Sequence, residues 1–314
     1  MRSRTEPADS LVRVPSYLEQ ILVYHRARAA AGTVELGLLE ERAAKSSTGS
    51  MAPRDFRGAL TGALGGPDSM GGPCILGDAR ARVPAVIAEI KRRSPSKGDL
   101  AGALDPGLLA EAYSGGGAAC LSVLTDEPHF GGSAADLSAA RAAVELPVLR
   151  KDFLLCRADI YESRVMGADA VLLIVAALEA AELEDLHNLT GSLGMAALVE
   201  VHDEQELERA LGAGATLVGV NQRDLVSFEV DTARAVRVRE AIPSEVVAVA
   251  ESGISSHEDL IALARAGFDA VLVGEALVTS KDPAAALERL RLGGPVAVDP
   301  ERLAPTSRRA TRCQ

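Results

Sequence analysis

Residues 170–220 read AVLLIVAALEAAELEDLHNLTGSLGMAALVEVHDEQELERALGAGATLVGV. Three runs of strand length, AVLLIV (170–175), AALVEV (196–201) and TLVGV (216–220), are rich in Val and Leu. Between them Glu179–Leu189 and Asp203–Leu211 carry Ala, Leu and Glu at helical spacing. Gly214-Ala215 closes the second helix, as Gly167-Ala168 and Gly267-Phe268 close others, because glycine accepts the left-handed conformation of a helix end. Strict alternation of this kind requires parallel strands joined by crossover helices.

The same alternation extends both ways from this stretch. VIAEI (86–90), CLSVL (120–124), PVLRK (147–151), VVAVA (246–250) and AVLVG (270–274) add five strands, with helices such as Ala135–Val144, Ile160–Met166 and Ser256–Ala266 between them. Eight such units, spaced by roughly 26 residues, predict a closed (β/α)8 barrel of the α/β class, the TIM-barrel architecture. The alternative, an open doubly wound sheet, usually carries G-x-G-x-x-G after its first strand, and this chain has none there. Ahead of the barrel, Pro15–Ala30 and Pro53–Leu64 read as helices opened by a proline, followed by a Gly/Pro-rich connector up to residue 84. The division predicted is an N-terminal helical extension and connector over 1–83, a catalytic barrel over 84–292, and a polar, basic, disordered tail over 293–314. The extension is expected to cap the bottom of the barrel or to rim its mouth.

Composition excludes several classes of function. The 314 residues are 47% hydrophobic and 25% charged, the balance of a globular protein. Aromatics are only 3%, without Trp, so the core is built from Ala, Val, Leu and Ile. A net charge of −11 argues against nucleic-acid binding but leaves room for a small anion in a locally positive pocket. Cys74, Cys120, Cys156 and Cys313 are scattered, with no C-x-x-C pair, which points to a reducing compartment. MRSRTEPADS lacks an apolar stretch, and the longest apolar run, Ala170–Leu178, is far short of a membrane span. The expectation is a cytoplasmic protein with no membrane or nucleic-acid partner. None of these patterns encodes an oligomeric state.

In a barrel of this kind chemistry sits at the carboxyl ends of the strands. The first strand ends IAEIKRRSPSKG, where Glu89 and Lys91, two apart, point the same way, into the mouth or into a structural ion pair. Ser94 follows in a rigid turn. The third ends LRKDF: Arg150, Lys151 and Asp152 cannot all face one side, and Lys151 shares its face with Leu149 and Phe153. That predicts an ammonium against apolar surroundings, with a lowered pKa, unless the side chain snorkels to the surface. Glu200 ends the fifth strand in the mouth with His202 beside it, and no further metal ligands accompany this pair. The sixth offers Asn221 and Arg223, whose fork suits a carboxylate or phosphate, or a salt bridge to Glu251. After strands seven and eight, Glu251-Ser252-Gly253 and Gly274 precede helices whose amino ends are expected to face one ligand, a phosphate seat. The set implies acid–base chemistry on a phosphorylated small molecule, without metal or redox cofactor.

Taken in order, IAEIKRRSPSKG, LTDEPHFGGS, LRKDF, GADAVLLIV, LVEVHDEQEL, GVNQRDL, VAESGI and DAVLVGEALV resemble the indole-3-glycerol-phosphate synthase family over about residues 15–290. The resemblance implies a lyase of tryptophan biosynthesis that closes the indole ring of 1-(2-carboxyphenylamino)-1-deoxyribulose 5-phosphate, losing carbon dioxide and water, with no cofactor. It implies Lys151 as general acid, Glu200 for the proton transfers of dehydration, and Glu89 and Asn221 orienting hydroxyls and intermediate. Lys91 then contacts the anionic substrate. Ser94, Phe130, Phe153, Arg223, Leu225, Glu251 and Ser252 fall at the substrate, and Lys91, Ser252, Gly253, Gly274 and Glu275 at its phosphate. Four departures stand out: His129 where the family has an aromatic, Cys156-Arg157-Ala158-Asp159 for Asp-Pro-Tyr-Gln, Gln222 for Asn, and a long connector. They allow a specialised paralogue serving a dedicated indole supply. A phosphoribosylanthranilate isomerase-like barrel would instead require Cys at the first strand end and Asp at the sixth, and a non-catalytic barrel would not need the charged mouth.

Overall fold

A computed structural model describes residues 17–32, 35–62, 83–95, 97–223 and 230–293. Eight parallel strands close into a barrel: β1 (Ala85–Ile90), β2 (Cys120–Leu124), β3 (Val148–Lys151), β4 (Ala170–Ile174), β5 (Ala196–Val201), β6 (Leu217–Asn221), β7 (Val247–Glu251) and β8 (Ala270–Val273). Closure is made by β8 on β1, with Ala85 opposite Ala270 and Ala88 opposite Val273. β2, β4, β6, β7 and β8 are buried along their whole length. This is why they are continuous Val/Leu/Ala runs rather than alternating ones. The barrel is the one the sequence predicts, with strand ends displaced by a residue or so; of the helices before it, the one over Leu36–Ser46 is not among those expected.

Helices α4 (Pro106–Gly115), α6 (Ala134–Ala143), α7 (Arg157–Met166), α8 (Ala180–Ser192), α9 (Glu204–Gly212), α10 (Thr232–Ala241), α11 (His257–Arg265) and α13 (Pro283–Leu292) clothe the barrel, with short α5 (Glu127–Phe130) and α12 (Glu275–Val278) at its rim. Helix starts follow their caps: Asp105, Ser133, Asp203, Asp231, Ser256 and Asp282 each accept a backbone N–H of the first turn.

The extension supplies α1 (Tyr17–Ala30), α2 (Leu36–Ser46) and α3 (Phe56–Thr61). The helix expected over Pro53–Leu64 is shorter. It starts after Asp55, whose carboxylate accepts from Gly58 N at 2.8 Å, and ends at Gly62 with φ 72°. The local cap therefore outweighs the proline. Pro15, most of the connector and the tail beyond 293 lie outside the described residues.

The extension holds both ends of the barrel. At the bottom, α3 buries Phe56 and Leu60. Arg54 donates to the carbonyls of Val144 and Leu146, both at 2.8 Å, and Arg57 to that of Glu245 at 3.0 Å. At the mouth, α1 is pinned by Arg28 on Asp159 at 2.7 Å and by Arg26 on the Ala177 carbonyl at 3.0 Å. Among the described residues no helix is long and apolar enough to cross a membrane.

Candidate active site

A cavity of about 470 Å³ opens at the carboxyl ends of the strands, a volume suited to a small-molecule ligand. Glu89, Lys91, Ser94, Phe130, Lys151, Phe153, Glu200, Asn221, Arg223, Glu251, Ser252, Gly253, Gly274 and Glu275 all line it. Leu225 lies outside the described residues. Contributions that the sequence did not signal are Tyr17, Leu18 and Ile21 of α1 and the apolar side chains of Leu172, Ile174, Leu272 and Ile254. The α1 contacts depend on where a separate segment docks, which no local spacing records.

Lys151 is the hub. Its Nζ lies 3.1 Å from Glu251 Oε2 and 3.3 Å from Glu200 Oε2. Burial alone would push this ammonium down, as expected from sequence. Instead the carboxylates of Glu251, Glu200 and Glu89 outweigh burial and hold it above the ordinary lysine value. The expectation of a lowered lysine pKa is thus overturned by charges brought from other strands.

β3 aims this lysine by burying its neighbour on the opposite side. Arg150 points outward under α7, donating to Asp152 Oδ2 at 2.8 Å, to Thr125 Oγ1 at 3.0 Å, and to Asp159 O and Ser163 Oγ, both at 3.0 Å. Thr125 Oγ1 in turn donates to Asp152 Oδ2 at 2.6 Å. A guanidinium with this many partners fixes the strand end, and Lys151 with it.

The two carboxylates that share Lys151 differ. Burial pushes Glu200 up, but Lys151, His202 and Asn221 together bring it below the ordinary glutamate value. Asn221 Nδ2 donates to Glu200 Oε1 at 3.1 Å, and His202 Nε2 stands 3.6 Å from the same oxygen. Glu251 is pushed up to about 7, mainly by burial and despite Lys151, with Glu200 and Glu89 repelling its charge. Its Oε1 is buried without a hydrogen-bond partner. Of the two carboxylates that share Lys151, Glu251 is therefore the one that more readily takes a proton. Glu89 pairs with Lys91 at 2.5 Å, so these two both face the cavity and form the ion pair considered from sequence.

Asn221 Oδ1 accepts from Arg223 N at 3.0 Å and Ser252 Oγ at 2.9 Å, which fixes the amide that faces Glu200. Ser252 and Gly253 both adopt left-handed backbone, with φ 69° and 73°. For Ser252 this is strained, and Gln222 Nε2 holds it by donating to its carbonyl at 3.0 Å. The two segments expected to present helix ends, Ser252-Gly253 before α11 and Gly274-Glu275 at α12, both line the cavity. Just ahead of α11, Ser255 N and Ser256 N both donate to Asp259 Oδ2 at 2.9 Å, and Asp259 N donates back to Ser256 Oγ at 3.1 Å. The cavity wall here is the left-handed Ser252-Gly253 turn and the Gly274-Glu275 turn that opens α12. A Cβ on Gly274 would stand 2.3 Å from Glu89 Oε1, so this glycine makes room for a mouth carboxylate as well. The side chain of Glu275 turns to Lys97 at 3.3 Å.

The sequence profile of the family described as indole-3-glycerol phosphate synthase matches residues 75–290. An indole-3-glycerol phosphate synthase of Mycolicibacterium vanbaalenii is 55% identical over 220 residues, 70% of this chain and 81% of the relative. One from Streptomyces griseus subsp. griseus is 48% identical over 256 residues, 82% and 91% of the two chains. Among solved structures, KGPDC from Streptococcus mutans superimposes with TM-score 0.51 at 12% identity, over 66% of this chain and 95% of that one, a likeness of fold.

Proposed function

The chain belongs to the indole-3-glycerol phosphate synthase family, decarboxylating lyases of tryptophan biosynthesis, and we propose how the mouth of its barrel divides that reaction among its side chains. The substrate is 1-(2-carboxyphenylamino)-1-deoxyribulose 5-phosphate. Its phosphate is seated on the Ser252-Gly253 and Gly274-Glu275 turns near Lys91, and its aryl group lies between Phe130, Phe153 and the apolar face of α1. Lys151 gives its proton to the ribulose carbonyl oxygen while the ring carbon bearing the carboxylate attacks the carbonyl carbon. An alkoxide is more basic than an amine, so even a lysine held above its ordinary value delivers this proton downhill. Carbon dioxide then leaves and the ring regains aromaticity. In the dehydration that follows, Lys151, reprotonated by Glu251, gives a second proton to the new hydroxyl, which leaves as water. Glu200, ionised and held by Asn221, takes the proton lost from the adjoining carbon that bears the nitrogen. Glu200 then returns it to Lys151 across 3.3 Å, and Glu251 regains one from solvent. Glu89 and Asn221 orient the hydroxyls, and Glu251 returns a proton to Lys151 across 3.1 Å. Ser94 and Arg223 complete the polar wall, and the enzyme works in the cytoplasm without a cofactor.

The observation that supports this reading is Lys151 held between Glu200 and Glu251 at the floor of a cavity that also presents the two left-handed or glycine-bearing turns. The test is to add the carboxyphenylamino substrate to the purified protein and follow indole fluorescence. Lys151→Ala is expected to lower turnover by about 10²–10⁴-fold with an unchanged circular-dichroism spectrum. Unaltered turnover would remove Lys151 from the mechanism. Isomerisation of phosphoribosylanthranilate without indole formation would favour the isomerase reading instead.

A further inference from the structure

We propose that His25, Asp126 and His129 form a binding site for a divalent transition-metal cation of the zinc class, which fastens α1 to the rim of the barrel. The three residues come from two segments far apart in sequence, α1 and the start of α5, where Asp126 is the cap and His129 lies in the helix. Their ligand atoms all lie within 4.8 Å of one another. His25 Nε2 is 3.2 Å and His129 Nδ1 2.8 Å from the same oxygen, Asp126 Oδ2. A tetrahedral ion with bonds of about 2.0–2.1 Å has edges of roughly 3.3–3.4 Å between ligand atoms, near the two histidine–aspartate separations. The two histidine nitrogens, within 4.8 Å of each other, complete the set by rotating about that shared oxygen. The other Asp126 oxygen is already occupied by His129 N at 3.0 Å, which orients the carboxylate.

Two imidazoles and one carboxylate select zinc-like or cobalt-like ions over magnesium or calcium, which require mostly oxygen. Three protein ligands leave a fourth position for water. His25 and Asp126 are buried, and His129, with its side chain 19% exposed, stands at the route of entry. His25 Nδ1 is buried without a hydrogen-bond partner. A ligating histidine normally donates from that second nitrogen, and lacking such a partner costs about 10–100-fold in affinity, so weak to moderate binding is expected.

The cluster lies beside the cavity, behind residues that line it. Phe153 lies tilted against His25, with centroids 5.4 Å and planes 42° apart, Phe130 follows His129, and α1 carries the lining residues Tyr17, Leu18 and Ile21. A cation here holds the roof of the site in place and takes no part in the chemistry proposed above.

The experiment is a titration of the chelator-treated full chain with Co²⁺, followed by visible absorption, and with Zn²⁺, followed by Tm. One equivalent of Co²⁺ is expected to give the bands of a four-coordinate ion, and saturating Zn²⁺ to raise Tm by about 2–4 °C while Mg²⁺ does not. His129→Gln, on the part-exposed rim and safe for folding, is expected to weaken Co²⁺ binding at least tenfold with an unchanged circular-dichroism spectrum. His25→Gln provides a second variant from the other segment. Equal Co²⁺ affinity in the parent chain and His129→Gln, or no uptake by the parent chain at about millimolar metal, would overturn the proposal.

Discussion

Glu200 and Glu251 share one ammonium yet lie on opposite sides of the ordinary glutamate value. The difference is local: Glu200 has Asn221 and His202 as further partners, and Glu251 has an orphaned oxygen. Because the folded chain holds the Glu251 proton up to about 7 against an ordinary 4.5, ionising it costs stability. The penalty is absent below about pH 4.5, grows between there and 7, and is complete above, where it reaches at most about 3 kcal/mol. Glu251→Gln is therefore expected to raise Tm at pH 8 relative to the parent chain and to leave it nearly unchanged at pH 4, a pair of melts that checks the sign. Glu200→Gln keeps the shape and removes the base. Turnover should fall by about 10²–10⁴-fold with KM within a few-fold, as steady-state kinetics will show. Period-two alternation was enough to aim Glu89, Lys151, Glu200 and Asn221 at the mouth. The protonation behaviour of Lys151 was not legible, because its partners stand 49 and 100 positions away. The same distance hid the His25–Asp126 contact, made across 101 positions.

Each strand end is shaped as much by its glycines as by its charged tips. On β6, a Cβ at Gly219 would stand 2.1 Å from Glu251 Oε1 and 3.3 Å from Leu198 Cδ1. Gly219→Ala must then displace the Glu251 carboxyl, whose other oxygen pairs with Lys151. The variant is expected to lose turnover about tenfold or more while its Tm falls only modestly, because the strand remains paired with β5 and β7. Parent-like turnover would show that Glu251 is free to move without consequence. Strands were the legible elements here, since burial on both faces writes them as unbroken apolar runs. Helices were less so. α10, TARAVRVREA, buries only Ala235 and Val238, and α2 only Leu39 and Ala43, so neither displays a wide apolar stripe.

The molecule keeps its stability and its chemistry at opposite ends. Phe56, 1% exposed, plugs the bottom of the barrel against β1 and β2, away from every side chain that lines the mouth cavity. Phe56→Ala is expected to cost about 3–5 kcal/mol, read as a lower denaturant midpoint. kcat measured well below the new Tm should stay unchanged, and a matching loss of kcat would tie floor to mouth. That the extension would cap one end or the other was readable from its helical spacing; that it does both was not, since this depends on the docking of separate segments. α3 rests partly on the carbonyl of Glu245, 188 positions beyond Arg57. A nascent chain leaves the ribosome amino end first, so α3 is made long before that carbonyl. The seat of α3 against β1 and β2 is available early in synthesis, so the helix is first held from one side only, and the Arg57 tie to the Glu245 carbonyl fastens the other side once the seventh strand has emerged.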